Sequence, residues 1–287
     1  MRIRLNLNFA LASAAALLLL FDAGAARAQD ASRSKAAASA TTPAAPNAKP
    51  SEDEKALAII ARAIEVMGGR AWTDVKSITS SGYFTPFQNG VGVLPIKFQD
   101  YTLFPDRERT EFSGAGVKSI QVNVADGGWV ADLKAKKVTD VTAQGAEDFR
   151  LTMRTSLDSV LRGWWRAEGA SLAYVGRREA GLAHRNETVR VKYPDGFEVE
   201  FEFDAREGLP SKAKYKKQDA EGEQVEEEDR YAQFQTIGTV HTPFIIDHYR
   251  AGVQSSRVNY EKVEFNLPIA DALFTKPDDI KKVKLSQ

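Results

Sequence analysis

The chain has 287 residues, with 39 Lys and Arg against 39 Asp and Glu, 15 Phe and no cysteine. Its balanced charge, with no basic stripe, argues against nucleic acid as a partner. The missing thiols exclude a disulfide framework, a cysteine nucleophile and a lipid-bearing cysteine at a processing site, so the fold must rest on a packed core.

Arg2 and Arg4 form a short positive start, and Phe9 to Phe21 is an apolar run centred on Leu17 to Leu20. Ala26-Arg27-Ala28 follows with small residues on either side of one variable position, the pattern a signal peptidase accepts. The run is shorter than the roughly 20 residues that span a bilayer, and no second such run exists. Residues 1–28 are therefore read as a signal peptide cleaved before Gln29. The expected product is soluble, periplasmic or secreted, with a net charge of about −2 and no stable membrane insertion. Residues 29–50 are Ala, Ser, Thr, Pro and Lys with little to bury, and read as a disordered linker. Residues 51–287 are read as one β-rich domain.

Ser51-Glu52-Asp53-Glu54 has the form of a capping box. Leu57, Ile60, Ile64 and Met67 then recur at helical spacing up to Gly68-Gly69, which predicts a helix over 52–67. From Val75 the period changes to alternation, predicting strands at 75–84, 94–104, 107–113, 117–124, 128–133 and 137–141, with a tight turn at Asp126-Gly127-Gly128. A second helix is predicted over 146–165, its stripe made by Phe149, Met153, Leu157, Val160 and Trp164. Val189, Val191 and Tyr193, then Phe197, Val199, Phe201 and Phe203, alternate with charged residues around Pro194-Asp195-Gly196, an antiparallel hairpin with one apolar face. Further strands are predicted at 211–218, 224–237, 240–251 and 254–266, before a helical turn near Ile269–Phe274 and a basic tail. So many consecutive strands cannot lie flat. The expected fold class is mainly β (α+β): a strongly curved antiparallel sheet or part-open barrel with helices on its concave side.

Catalytic signatures are sparse. His184, His241 and His248 lack metal-ligand spacing, and no G-x-S-x-G elbow, P-loop or dinucleotide fingerprint is present. The acidic run from Glu221 to Asp229 reads as a solvated strand face. No catalytic residue, metal or cofactor is assigned, and the chain is expected not to be an enzyme. An exported hydrolase of envelope polymers, using acids such as Glu198 or Asp229, is the minor alternative. The apolar side chains of the curved sheet and second helix instead define a candidate cargo site. It comprises Phe98, Phe104, Met153, Leu157, Trp164, Val191, Tyr193, Phe197, Val199, Phe201 and Phe203.

Four segments carry a family resemblance: helix 52–67 ending at Gly68-Gly69; Gly208-Leu209-Pro210-Ser211-Lys212; Tyr231 to Phe234 with Gly238 and Pro243-Phe244; and Val263-Glu264-Phe265-Asn266 with Pro268, Asp271, Phe274 and Pro277. In this order they resemble the outer-membrane lipoprotein-sorting carrier superfamily over about residues 52–280. The resemblance implies an unclosed β-barrel of about eleven strands whose two to three helices cover a hydrophobic cavity. It implies lipid or lipoprotein acyl chains as cargo, each buried methylene contributing about 0.8 kcal/mol, and no cofactor. The main alternative is a non-catalytic envelope interaction module whose partner is an envelope protein.

Overall fold

The computed structural model describes residues 53–125, 127–219 and 221–286. The segments read as signal peptide and linker, together with Ser51, Glu52 and Asp126, lie outside the described residues. Helix α1 is Glu54–Met67, and its N-cap is Asp53, whose carboxylate accepts from Lys55 N at 2.8 Å and Ala56 N at 3.2 Å. The helix thus starts later than a cap at Ser51 predicts. Asp53 is also pinned to a strand: its N–H donates to Leu172 O, and its second carboxylate oxygen accepts from Tyr174 N. Ala56, Ile60, Ala63 and Met67 form the buried stripe. Gly68 ends the helix at φ +123°, and a Cβ there would collide with the Thr239 carbonyl. After Gly69, Arg70–Thr73 form a single turn, α2.

The first run of strands is β1 Ser77–Gln88, β2 Val91–Gly92, β3 Ile96–Leu103, β4 Arg107–Gly114, β5 Val117–Val124, β6 Gly127–Asp132 and β7 Lys137–Asp140. The second is β8 Ser171–Gly181, β9 His184–Lys192, β10 Glu198–Asp204, β11 Pro210–Gln218, β12 Gln224–Ile237, β13 Val240–Arg250 and β14 Val253–Phe265. All join one antiparallel sheet in the order β7-β6-β5-β4-β3-β1-β14-β13-β12-β11-β10-β9-β8, with β2 paired on β1. Among the described residues the sheet has fourteen strands, more than the eleven the resemblance implies. Twelve correspond to segments read from the alternation, and the other two are the two-residue β2 and the edge strand β8. The burial of β8 alternates along its length, but after Leu172 and Tyr174 its inward positions are Gly176, Arg178 and Ala180, so the apolar signal by which a strand is read is missing. The outermost strands β7 and β8 do not pair with each other, so the barrel is unclosed.

The single helix expected over 146–165 is divided. Helix α3 is Ala143–Thr155 and α4 is Leu157–Arg162, followed by a 3-10 turn at Trp164–Arg166. Ser156 makes the break: its backbone is extended (ψ 151°), its hydroxyl donates to Met153 O and accepts from Ser159 N, capping α4. Helix α3 packs on both β6 and β11, which stand eight positions apart in the sheet. A flat sheet would hold those strands about 38 Å apart, and a helix of this length reaches about 20 Å. The sheet therefore curls around its helices.

Two apolar clusters follow. The inner one lies between the sheet and α1, α2 and α4; the outer one, Ile120, Val122, Trp129 and Ala131, is covered by the C-terminal strap with Phe274. Trp129 Nε1 donates to Phe274 O at 2.9 Å and Arg109 Nη1 to Leu273 O at 2.9 Å. The helical turn expected near 269–274 is a 3-10 turn at Asp271–Leu273, and the basic tail beyond it is part of this strap.

Gly68→Ala is expected to cost about 1–3 kcal/mol, because the position needs both a positive φ and close approach to Thr239. A urea titration would show a lower midpoint at unchanged slope.

Candidate functional site

Between α1, α2, α4 and the inner face of the sheet lies a cavity of about 60 Å³. Met67, Trp72 and Val75 bound it on one side and Leu157, Asp158 and Arg162 on another. Ile78, Asp100, Ile246, Tyr260, Val263 and Phe265 close it from the sheet. Arg162 forms the clip at its edge. The guanidinium bonds Asp158 at 2.7 Å and donates to the carbonyls of Thr73 (2.9 Å), Val75 (3.1 Å) and Trp72 (3.2 Å). It also lies 4.4 Å from the Trp72 ring and 4.5 Å from the Phe104 ring. One side chain thus ties α4 to the end of α2, its charge matched by Asp158 and its donors by carbonyls at and just beyond that helix end, of which Trp72 O also accepts from Val75 N.

The inner face is more polar than a lipid trough. On β3 and β4 the buried Asp100 accepts from Thr110 Oγ1 at 2.7 Å and Thr102 Oγ1 at 2.9 Å. Glu108 accepts from Asn123 at 3.2 Å, and its other oxygen has no hydrogen-bond partner. Across the sheet, His248 Nδ1 meets Asp229 Oδ1 at 2.6 Å, and Arg250 donates to Glu227 at 2.7 Å. Among the described residues the second oxygen of Asp229, the Tyr231 hydroxyl and the Ser256 hydroxyl, like the second oxygen of Glu108, are buried without hydrogen-bond partners. Burial raises the Asp100 and Glu227 carboxyls to about 7 each. Burial, with Asp100 nearby, pushes Glu108 well above the usual range. Burial also raises Asp158, against the pull of Arg162.

Of the residues picked from the sequence, Leu157 lines the cavity. Phe104 and Met153 border a smaller space of about 10 Å³ between α3 and β3–β4, and Trp164 meets Phe104 edge-on at 5.5 Å. Phe98 packs edge-on to Tyr260 at 5.6 Å, just behind the cavity wall. Val191, Tyr193, Val199, Phe201 and Phe203 are fully buried in the inner cluster, and Phe197 is half-buried between Tyr193 and Tyr215. The helix-side residues come together; the β9–β10 group fills core. The sequence reading missed Trp72, Asp100, Asp158, Arg162, Ile246 and Tyr260. Asp158 and Arg162, one helical turn apart within an apolar stripe, were the available signal.

The acids considered for hydrolysis do not converge. Glu198 pairs with Lys192 at 2.7 Å beside Arg190, half-buried, whereas Asp229 is buried against His248. Among the described residues no group of three His, Cys, Asp or Glu side chains is placed to hold a metal.

No family model matches the chain, and no curated protein matches it. Solved structures do. A DUF1329 family protein from Desulfovibrio piger superposes with a TM-score of 0.56 at 15% identity, over 77% of this chain and 97% of that one. A LolA superfamily protein from Nitrosomonas europaea superposes with a TM-score of 0.54 at 13% identity, again over 77% and 97%. The fold is the one they share, which is the fold implied by the sequence resemblance.

A carboxyl raised on folding stabilises the fold in its protonated form. That contribution is present below about pH 4 and lost as pH rises through about 7. Stability is therefore expected to decline between about pH 4 and 7. Asp100→Asn is expected to remove up to about 4 kcal/mol of that decline, measured by urea titrations across the pH series.

Proposed function

From this shared fold we propose that the chain is a non-catalytic periplasmic carrier that takes an apolar group between its helices and the sheet. The supporting observation is the cavity itself: an apolar wall of Met67, Trp72, Val75, Leu157, Ile246, Val263 and Phe265 beneath helices clipped by one arginine. At about 60 Å³ it is far below the roughly 300–1,000 Å³ of ordinary small-molecule pockets. Cargo therefore enters only when α1–α2 and α4 separate, and the bonds of Arg162 to the Trp72, Thr73 and Val75 carbonyls must break as they do. Asp100 and Asp158 on the wall favour a cargo with a polar group at one end of an acyl chain. Phe104, Met153 and Trp164 would receive the chain as the helices part.

The small cavity also favours a second reading, an envelope interaction module whose sheet edge or strap holds a partner protein. Native mass spectrometry of the protein purified from its own envelope separates the two: bound lipid supports the carrier, a bare chain the module.

Removing the clip as a pair, in Asp158→Leu with Arg162→Met, avoids leaving a buried charge unpaired but strands the Thr73 and Val75 carbonyls, and is expected to cost about 1–3 kcal/mol of stability. The carrier reading expects this variant to take up a fluorescent fatty acid faster than wild type in stopped flow. If neither protein takes up the probe, that reading fails.

A further inference from the structure

The hairpin between β1 and β3 carries eleven consecutive uncharged residues, Pro86 to Ile96, in a chain that is 27% charged. Its tip is not covered. Leu94 is 73% exposed, Val91 68% and Val93 37%, and Val253, the first residue of β14 beside its turn from β13, is 51% exposed. The two turns touch, since a Cβ on Gly90 would lie 3.7 Å from Val253 Cγ1. They form one aliphatic patch. The hairpin runs beyond its last pairings, Phe84 with Ile96 and Pro86 with Ser256, so no neighbouring strand covers the tip. Val93 N donates to Pro86 O at 2.9 Å and β2 pairs back on β1, which holds the tip in one shape.

The flank toward β7 is basic. Antiparallel pairing brings the β4–β5 and β6–β7 turns to the same end as the hairpin, and Lys134 Nζ bonds Gly116 O between them. Lys97, Lys118, Lys134, Lys136 and Lys137 are all exposed there. Among the described residues Asp132 is the acid of these turns, and its carboxylate is occupied by the Lys134 and Ala135 N–H groups. Acids of this end, Asp219, Glu221 and Glu223 in the β11–β12 turn and Asp195 in the β9–β10 turn, lie on the opposite side of Val253.

We propose that this end of the barrel docks reversibly on an anionic lipid surface. The tip Val91–Leu94 and Val253 enter the headgroup boundary, and the lysine flank meets the lipid phosphates. The tip, Val91 to Leu94, holds no Trp, Tyr or Arg and is poorly equipped as a protein hot spot, while Tyr83 and Arg250 at its border suit a lipid interface. Small aliphatic tips beside diffuse ammonium charges suit a fluid phosphate surface. The surface is separate from the cavity and does not depend on what the cavity holds.

The test is co-sedimentation of the exported, purified protein with vesicles of phosphatidylcholine alone and with about one-quarter phosphatidylglycerol, every variant having the same amino terminus. Docked protein pellets, whereas protein that has extracted a lipid stays in solution. The wild type is expected to pellet with the anionic vesicles and to be released as salt rises from about 0.05 to about 0.5 M. Val91→Asp with Leu94→Asp should lower the bound-to-free ratio about tenfold or more. Lys118→Gln with Lys136→Gln should lower it on anionic vesicles by a similar factor. All should keep the wild-type circular dichroism, thermal midpoint and fatty-acid uptake, which separates this proposal from the carrier reading. No pelleting with anionic vesicles, equal pelleting on both vesicle types, or pelleting unaffected by the two aspartates would overturn it.

Discussion

The pairing of β1 with β14 is the contact on which the inner face depends. It brings Ile78 opposite Phe265 and Phe84 opposite Val258, joining segments nearly the whole described chain apart. Loop-closure entropy grows only slowly with length, so such a long-range seam is affordable once its side chains pack. Without it β1–β7 and β8–β14 would be two separate sheets, each with a new open edge. The seam carries its own bend: register shifts between Ser81 and Gly82, and at Gly82 a Cβ would strike the Asn259 carbonyl. Ile78 and Ser80 from one strand of the seam, with Tyr260, Val263 and Phe265 from the other, then become one wall of the cavity.

Against that wall the helices are held by two different kinds of contact. Helix α1 contributes an apolar stripe ending at Met67, whose burial is non-directional and tolerates small shifts. The clip of Arg162 is directional, with three carbonyl acceptors at the end of α2 and a carboxylate one turn back in its own helix. A cover fastened mainly by apolar area would part gradually. One fastened by convergent hydrogen bonds to a single guanidinium parts in one step, because losing the geometry loses all of them. The same low dielectric that strengthens those bonds makes Asp100, Glu108 and Asp158 costly to keep ionised nearby.

Much of the fold was legible in the chain because the strands alternate cleanly. The 224–237 strand matches β12 residue for residue, and the hairpin around Asp195-Gly196 stands as read. What failed did so where local chemistry overrides period. Ser156 cut a continuous apolar stripe into α3 and α4, and Gly176, Arg178 and Ala180 at inward positions hid β8. The cargo residues were half legible for a related reason. Parity told that Val199, Phe201 and Phe203 face inward, but not that α1 and α4 already fill the space above them. Nor does periodicity reveal polar residues on an inward face. Asp229 and Glu227 sat in what reads as a solvated acidic run, yet they are buried beside His248 and Arg250.

That buried polarity bears on how an apolar group could sit in such a barrel. A uniformly apolar interior would hold an acyl chain in many registers and directions. Here the apolar wall by Trp72 and Leu157 ends at Asp100 and Asp158, beyond which lie the unpartnered oxygen of Glu108 on one flank and those of Tyr231, Asp229 and Ser256 on the other. Each unsatisfied buried group costs roughly 1–3 kcal/mol until a donor, an acceptor or water reaches it. A guest with a polar head would recover part of that cost only when its head lies along this belt and its chain along the apolar wall. Under the proposed carrier reading, Asp100 and Asp158 at the edge of the apolar wall would thus give a guest an orientation that burial of methylenes alone cannot.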